Sequence, residues 1–231
     1  MSCHADSISI INPSFEGVTG SDPAFFDSAG KLVGGHYTTG LNEPHDSTGF
    51  PTADPTPGWK VNGGAGTINF YGTGKVSPPA TDGNNVAWAN GFLSAHGSFS
   101  QTLTTTYQAG LTYTLQVDAA SFTYLPHADY SISLYAGNQL VAGGINPTPL
   151  TPGTFITASI SASIDPSSPY VGQPISILLA NAGNPPQGNA VAFDNVRLNS
   201  QVTTVPEPST WALAALGLLG LLNFGRLKNR K

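Results

Sequence analysis

The chain has 231 residues, of which only 9% are charged, and it carries 27 glycines and 19 prolines. That length suits one generous domain plus accessory segments, and a composition so poor in charge and rich in turn formers favours strands over long surface helices. Twelve Asp and Glu face only Lys31, Lys60, Lys75 and Arg197 between positions 1 and 205, an acidic balance that repels a phosphate backbone and excludes nucleic acid as a partner. Cys3 is the single cysteine, which excludes an intrachain disulfide framework and a thiolate metal cluster.

Cys3-His4-Ala5 before Asp6 has small residues where an A-x-A-like cleavage site needs them. Residues 1–5 are therefore expected to be the remnant of a signal peptide whose apolar stretch is encoded upstream; the alternative is an ordinary short N-terminal tail. From Gly17 to Pro57 no strand or helix period is visible. A loop of that length tends to be functional or mobile. Glu43, His45, Asp46 and Asp54 within it can in principle assemble a cation site, although their spacing fits no recognised ligand set and a solvated loop explains them equally well.

Beyond the loop, apolar and polar residues alternate in Ser98–Thr104, Tyr113–Val117, Tyr130–Leu134 and Phe155–Ile164, which predicts strands with one buried face. The more continuous runs Ile175–Ala180 and Ala190–Leu198 predict strands central to a sheet. Turn formers separate them at Gln108-Ala109-Gly110, Ala136-Gly137-Asn138, Thr151-Pro152-Gly153 and Asp165-Pro166-Ser167. The expected fold is all-β, a two-sheet jelly-roll sandwich over residues 6–199.

Residues 200–208 read as a linker. Ser209 to Gly225 follow without a charge and with Leu213, Leu216, Leu218, Leu219, Leu221 and Leu222 among them. A helix apolar all round belongs in a large core or in lipid, and a Gly/Pro-rich β protein offers little core to enclose it. Six leucines contribute roughly −2 to −3.5 kcal/mol to insertion. At 1.5 Å per residue the stretch spans about 25 Å, so a single transmembrane helix is expected over 209–225, with Arg226 and Lys228 snorkelling and Trp211 at the opposite interface. The basic residues 226–231 place that end in the cytoplasm and the body outside it.

Val205-Pro206-Glu207-Pro208-Ser209-Thr210, an apolar helix and a basic tail, in that order, resemble the PEP-CTERM sorting signal of Gram-negative bacteria. The resemblance implies that Pro206, Glu207 and Pro208 are recognised by an exosortase, a membrane transpeptidase acting on proteins bound for the cell surface or an exopolysaccharide matrix. The same tail is also named after ice-binding proteins that carry it, and alone it says nothing about ice. Two prolines around one residue also make a good helix-stopping linker.

Ile11-Asn12-Pro13-Ser14-Phe15-Glu16, Pro57-Gly58-Trp59-Lys60-Val61 and Ala192-Phe193-Asp194-Asn195-Val196-Arg197-Leu198 together resemble the galactose-binding-like β-sandwich of secreted bacterial proteins and carbohydrate-binding modules. That likeness implies a structural calcium held by Glu16 and Asp194; without an ion, the same carboxylates can cap turns by accepting backbone amides. Sugar sites on sandwiches use aromatic platforms. Trp59, Tyr71, Trp88, Tyr124 and Tyr130 are candidates, Trp88 and Tyr124 the leading pair, with Asn84, Asn85 and Asn90 near Trp88; core packing explains each one singly.

No nucleophile elbow, zinc helix, phosphate loop or cysteine–histidine pair is present. Gly72-Thr73-Gly74-Lys75 lacks the first glycine and the Ser/Thr of a phosphate loop. Paired carboxylates can act on glycosidic bonds, but a sequence does not measure their separation. The sequence is thus read as that of an exported, membrane-anchored, non-catalytic envelope or matrix protein linked to exopolysaccharide and biofilm, with a polysaccharide-binding module as the alternative. Its expected partners are an exosortase, membrane lipid and polysaccharide. No cofactor is expected beyond the calcium.

Overall fold

The computed structural model describes residues 5–16, 25–26, 32–34, 56, 58–62, 65–69, 80–83, 85–90, 96–122, 129–183 and 190–203. In chain order the strands are β1 (Asp6–Ile8), β2 (Phe25–Phe26), β3 (Leu32–Gly34), β4 (Lys60–Asn62), β5 (Ala65–Asn69), β6 (Asn85–Asn90), β7 (Ser98–Thr106), β8 (Leu111–Ser121), β9 (Tyr130–Ala136), β10 (Gln139–Ile145), β11 (Ile156–Ser163), β12 (Pro174–Asn181) and β13 (Ala190–Val202). One antiparallel sheet runs β11-β8-β13-β6-β5 with β1 also on β13, and the facing sheet runs β10-β9-β12-β7-β4. From β7 onward the chain changes sheets at every connection except the tight β9–β10 hairpin. This is the all-β two-sheet sandwich that the alternation predicts.

The two continuous apolar runs occupy the middles of the sheets, β12 between β9 and β7 and β13 between β8 and β6. The segment expected to lack regular structure carries a small hairpin, β2 paired with β3, at two short runs too brief for any period to show. β13 also continues to Val202, past the boundary at residue 199 drawn from the sequence. Among the described residues no helix is long and apolar enough to cross a membrane, and residues 209–225 lie outside them.

Inward-facing alternate residues of both sheets form one core: Tyr113, Leu115, Val117 and Ala119 from β8, Val191 and Phe193 from β13, Ile175, Ile177 and Leu179 from β12, and Ile132 and Leu134 from β9. The opening and loop-exit motifs close one end of it. Phe15 is fully buried, with its ring 5.1 Å from Trp59 and 5.4 Å from Phe99. The Trp59 indole donates to the Asn12 carbonyl at 2.9 Å. Trp59 and Tyr130 are thereby core residues; the Tyr130 hydroxyl donates to the Thr148 carbonyl at 2.7 Å.

Candidate functional site

The outward-facing residues of the β8–β13 sheet change character along the strands. Toward the N-terminal half of β8 they are hydroxyls and amides: Thr112 bonds Ser163 at 2.8 Å and Thr114 bonds Ser161 at 2.9 Å, exposed pairs of the ordinary cross-strand kind. Toward its C-terminal half the same face turns apolar and dry. Ala192 of β13 stands between Ala120 of β8 and Trp88 of β6 in register, and Trp88 faces Gly66 of β5. Val86, Ala120 and Ala192 are 0% exposed and Trp88 only 6%, yet none of them belongs to the core between the sheets. Small residues beside one large ring thus form a second buried apolar patch on the outer face of this sheet, apart from the core between the sheets.

At the boundary between the polar and dry halves lie two carboxylates. Asp194 pairs in register with Asp118, and Asp118 with Thr157. A β-bulge between Asp194 and Arg197, with Asn195 at φ 48°, aims several donors at this row. Asp118 Oδ2 accepts the Asn195 side-chain amide at 2.9 Å, Asp118 Oδ1 accepts the Thr157 hydroxyl at 2.7 Å, and Arg197 Nη2 lies 3.0 Å from Asp118 Oδ1. Burial alone raises the Asp118 carboxyl, but the Arg197 guanidinium and the Thr157, Asn195 and Thr81 donors outweigh it and hold the group below the usual carboxylate range.

Asp194 is 0% exposed. The loop before β6 crosses this face and supplies its partners: Asp194 Oδ2 accepts the amides of Thr81 at 2.6 Å and Asp82 at 3.0 Å, while Oδ1 accepts the Asn195 amide at 2.7 Å. Burial nevertheless dominates over these donors and pushes the Asp194 carboxyl up to about 6. Neighbouring carboxylates with values pushed apart are the arrangement from which acid and counter-ion roles are assigned.

Glu16 and Asp194, the pair implied as calcium ligands, accept backbone amides from neighbouring stretches of chain, Asp194 from Thr81 and Asp82 and Glu16 from Asn85. Glu16 Oε1 accepts the Asn85 amide at 2.7 Å, and the Asp82 carboxylate between them accepts the Ser14 hydroxyl at 2.6 Å. Backbone N–H groups point at oxygens of both Glu16 and Asp194, the contacts that the turn-capping alternative requires. Among the described residues no group of three or more His, Cys, Asp or Glu is placed to hold a metal. Trp88 is buried in the apolar patch. Pro206, Glu207, Pro208, Tyr124, Tyr71, Asn84 and the acidic and histidine residues of the 17–57 loop lie outside the described residues.

Sequence reading missed Asp118, Thr81 and Arg197. The available signal was Asp118 itself, an acid at an outward position of β8 that is followed by an alanine where the face becomes dry.

Residues 204–230 match the PEP-CTERM protein-sorting motif. The signal seen in the sequence is therefore present, and it marks an exported, cell-envelope-associated protein. Among curated proteins no relative is detected. The body is similar to a Stig cyclase from Fischerella sp. TAU solved with (3Z)-3-(1-methyl-2-pyrrolidinylidene)-3H-indole, at 24% identity and TM-score 0.62 over 86% of this chain and 99% of that one. A cyclase from the same organism in complex with 4-(1H-indol-3-yl)butan-2-one gives TM-score 0.61 at 24% identity, covering 86% and 99% of the two chains. The apo form of a Fischerella sp. cyclase is 26% identical at TM-score 0.61, covering 87% of this chain and 98% of that chain.

These findings overturn the expectation that the chain is not an enzyme. That expectation rested on missing motifs for nucleophilic, metal and phosphate chemistry, and the lack of those motifs does not exclude other chemistry. Residues 6–199 match the HpiC1 cyclase family model, and the chain belongs to that family.

Proposed function

We propose that this chain is an exported cyclase that folds a flexible, aromatic-bearing small molecule against the Ala120–Ala192–Trp88 floor and starts ring closure by protonation. The observation that carries this reading is the pairing of a buried acid, Asp194, with a fixed anion, Asp118, at the edge of that floor. A carboxyl held near 6 keeps a proton available close to neutral pH. The proton passes to the substrate, a pendant π bond attacks the resulting cation to form the ring bond, and a proton lost from the new ring returns to the carboxylate. The net change is an isomerisation, so no oxidant or co-reactant is consumed. Asp118, whose ionised form Arg197 favours, stabilises the intermediate positive charge once the substrate has been protonated.

On this reading Pro206-Glu207-Pro208 is processed by an exosortase, residues 209–225 span the membrane once before processing, and the sandwich works on the outer side. The indole ligands of the Fischerella proteins supply the first probes. Binding of 4-(1H-indol-3-yl)butan-2-one is measured by calorimetry, and conversion of 3-alkenyl indoles to cyclised isomers by mass-neutral chromatography and NMR. Asp194→Asn is expected to lower turnover by roughly 10²- to 10⁴-fold while binding persists. Ala192→Trp, which fills the floor, is expected to abolish both. Turnover untouched in Asp194→Asn rejects the acid role, and indole binding untouched in Ala192→Trp rejects the floor.

A further inference from the structure

Asp194 has no exposed surface, and amide donors stand around both of its oxygens. A substrate on the apolar floor therefore has no direct route to its proton. Thr81 is exposed, and its hydroxyl lies 3.0 Å from Asp194 Oδ2 and 3.0 Å from Asp118 Oδ2. A hydroxyl has one proton to give. Between two ionised carboxylates it satisfies one and sets its lone pairs against the other. A single proton added to the pair resolves the conflict: Asp194 donates to Thr81 Oγ1, and Thr81 donates to Asp118.

We infer that the Thr81 side chain is a proton relay that connects the buried Asp194 to Asp118 at the edge of the floor. In the transfer, the Asp194 O–H bond breaks as a new Thr81 O–H bond forms, while the proton already on Thr81 moves to Asp118. Each electron pair stays on its oxygen, and nothing is oxidised or reduced. Asp118 is the exit because its other donors, Thr157, Asn195 and Arg197, favour its ionised form, so a proton placed there is quickly handed on. The charged and titratable groups around the bridge are Asp118 from β8, Asp194 and Arg197 from β13, and Asp82 and Glu16 around the crossing loop. The part played in turnover rests on the acid-catalysed reading; the relay itself is testable without any substrate.

The full chain, labelled with ¹³C at the aspartate γ-carbons, is titrated by NMR from about pH 4 to about pH 8. In the wild type the Asp194 and Asp118 signals are expected to share an inflection. Thr81→Val keeps the backbone amide and the side-chain shape but removes the hydroxyl, and the Asp118 signal should then lose that inflection; Thr81→Ser should restore it. A wild-type Asp118 signal blind to the Asp194 step overturns the relay with no variant needed, as does coupling that survives in Thr81→Val. With a turned-over indole substrate, Thr81→Val is expected to lower kcat by on the order of 10²-fold with KM kept and to flatten the fall of the rate as pH rises through about 6. Coupled signals without turnover of any substrate leave the relay standing and count against the cyclase reading alone.

Discussion

Asp118 and Asp194 face each other across one strand pair and yet titrate in opposite senses, which gives each its own pH window. The folded-state value of Asp194 is raised, so the stability it contributes is fully present below the ordinary carboxylate value and is lost as pH rises through about 6. The value of Asp118 is lowered, so its contribution is present above the ordinary value and is lost as pH falls through the depressed one. Between about pH 4 and about pH 7 the wild-type Tm is expected to fall relative to that of Asp194→Asn, and parallel melting curves across that range reject the raised value. Asp118→Asn should be less stable than the wild type at neutral pH, the gap closing in strong acid. A gap that persists there points to lost packing instead of lost charge. Gly83 is a third residue with a defined role: at φ +76° it runs against the Glu16 carboxylate, where an added Cβ would collide with Oε1. Gly83→Ala is expected to cost about 1–2 kcal/mol from the backbone conformation alone, read from denaturant midpoints.

Among the elements, the strands with clean alternation were legible because their faces differ: β7, β9 and β11 each present a polar outer row and an apolar inner one. The site was less legible because it is assembled across distance. Thr81 and Asp194 are 113 positions apart, and Thr81 and Asp118 are 37 apart. Asp194 stood out within its motif, but its meaning depends on which donors surround it, and no spacing rule reports that. Likewise Ala120, Ala192 and Trp88 read as ordinary strand residues until the register lines them up. The bulge of β13 is the local feature on which the arrangement turns, since it frees Asn195 and Arg197 to reach Asp118. The crossing loop is held by the amides on Glu16 and Asp194. Chelation with EGTA is therefore expected to leave Tm unchanged, and a fall of several degrees would assign those carboxylates an ion after all.

For the molecule as a whole, the cyclase-family match over residues 6–199 and the sorting-motif match over 204–230 do not overlap. A chain ending at Thr203 is expected to keep the sandwich and its indole binding, because every core residue named above lies before that point. If the shortened chain fails to fold while the full chain succeeds, the tail is part of the body and the division is wrong. β13 carries Asp194 near its beginning and, past the bulge, continues to Val202, after which the Thr203 amide is fastened to the Gly110 carbonyl at 2.8 Å. Over its second half this strand is laced to β8 on one side and to β1 on the other. If the C-terminal segment holds the protein at a surface as proposed, tension applied through it loads those ladders in shear, many bonds sharing the pull at once. The end that is tugged is also the end remote from the chemistry.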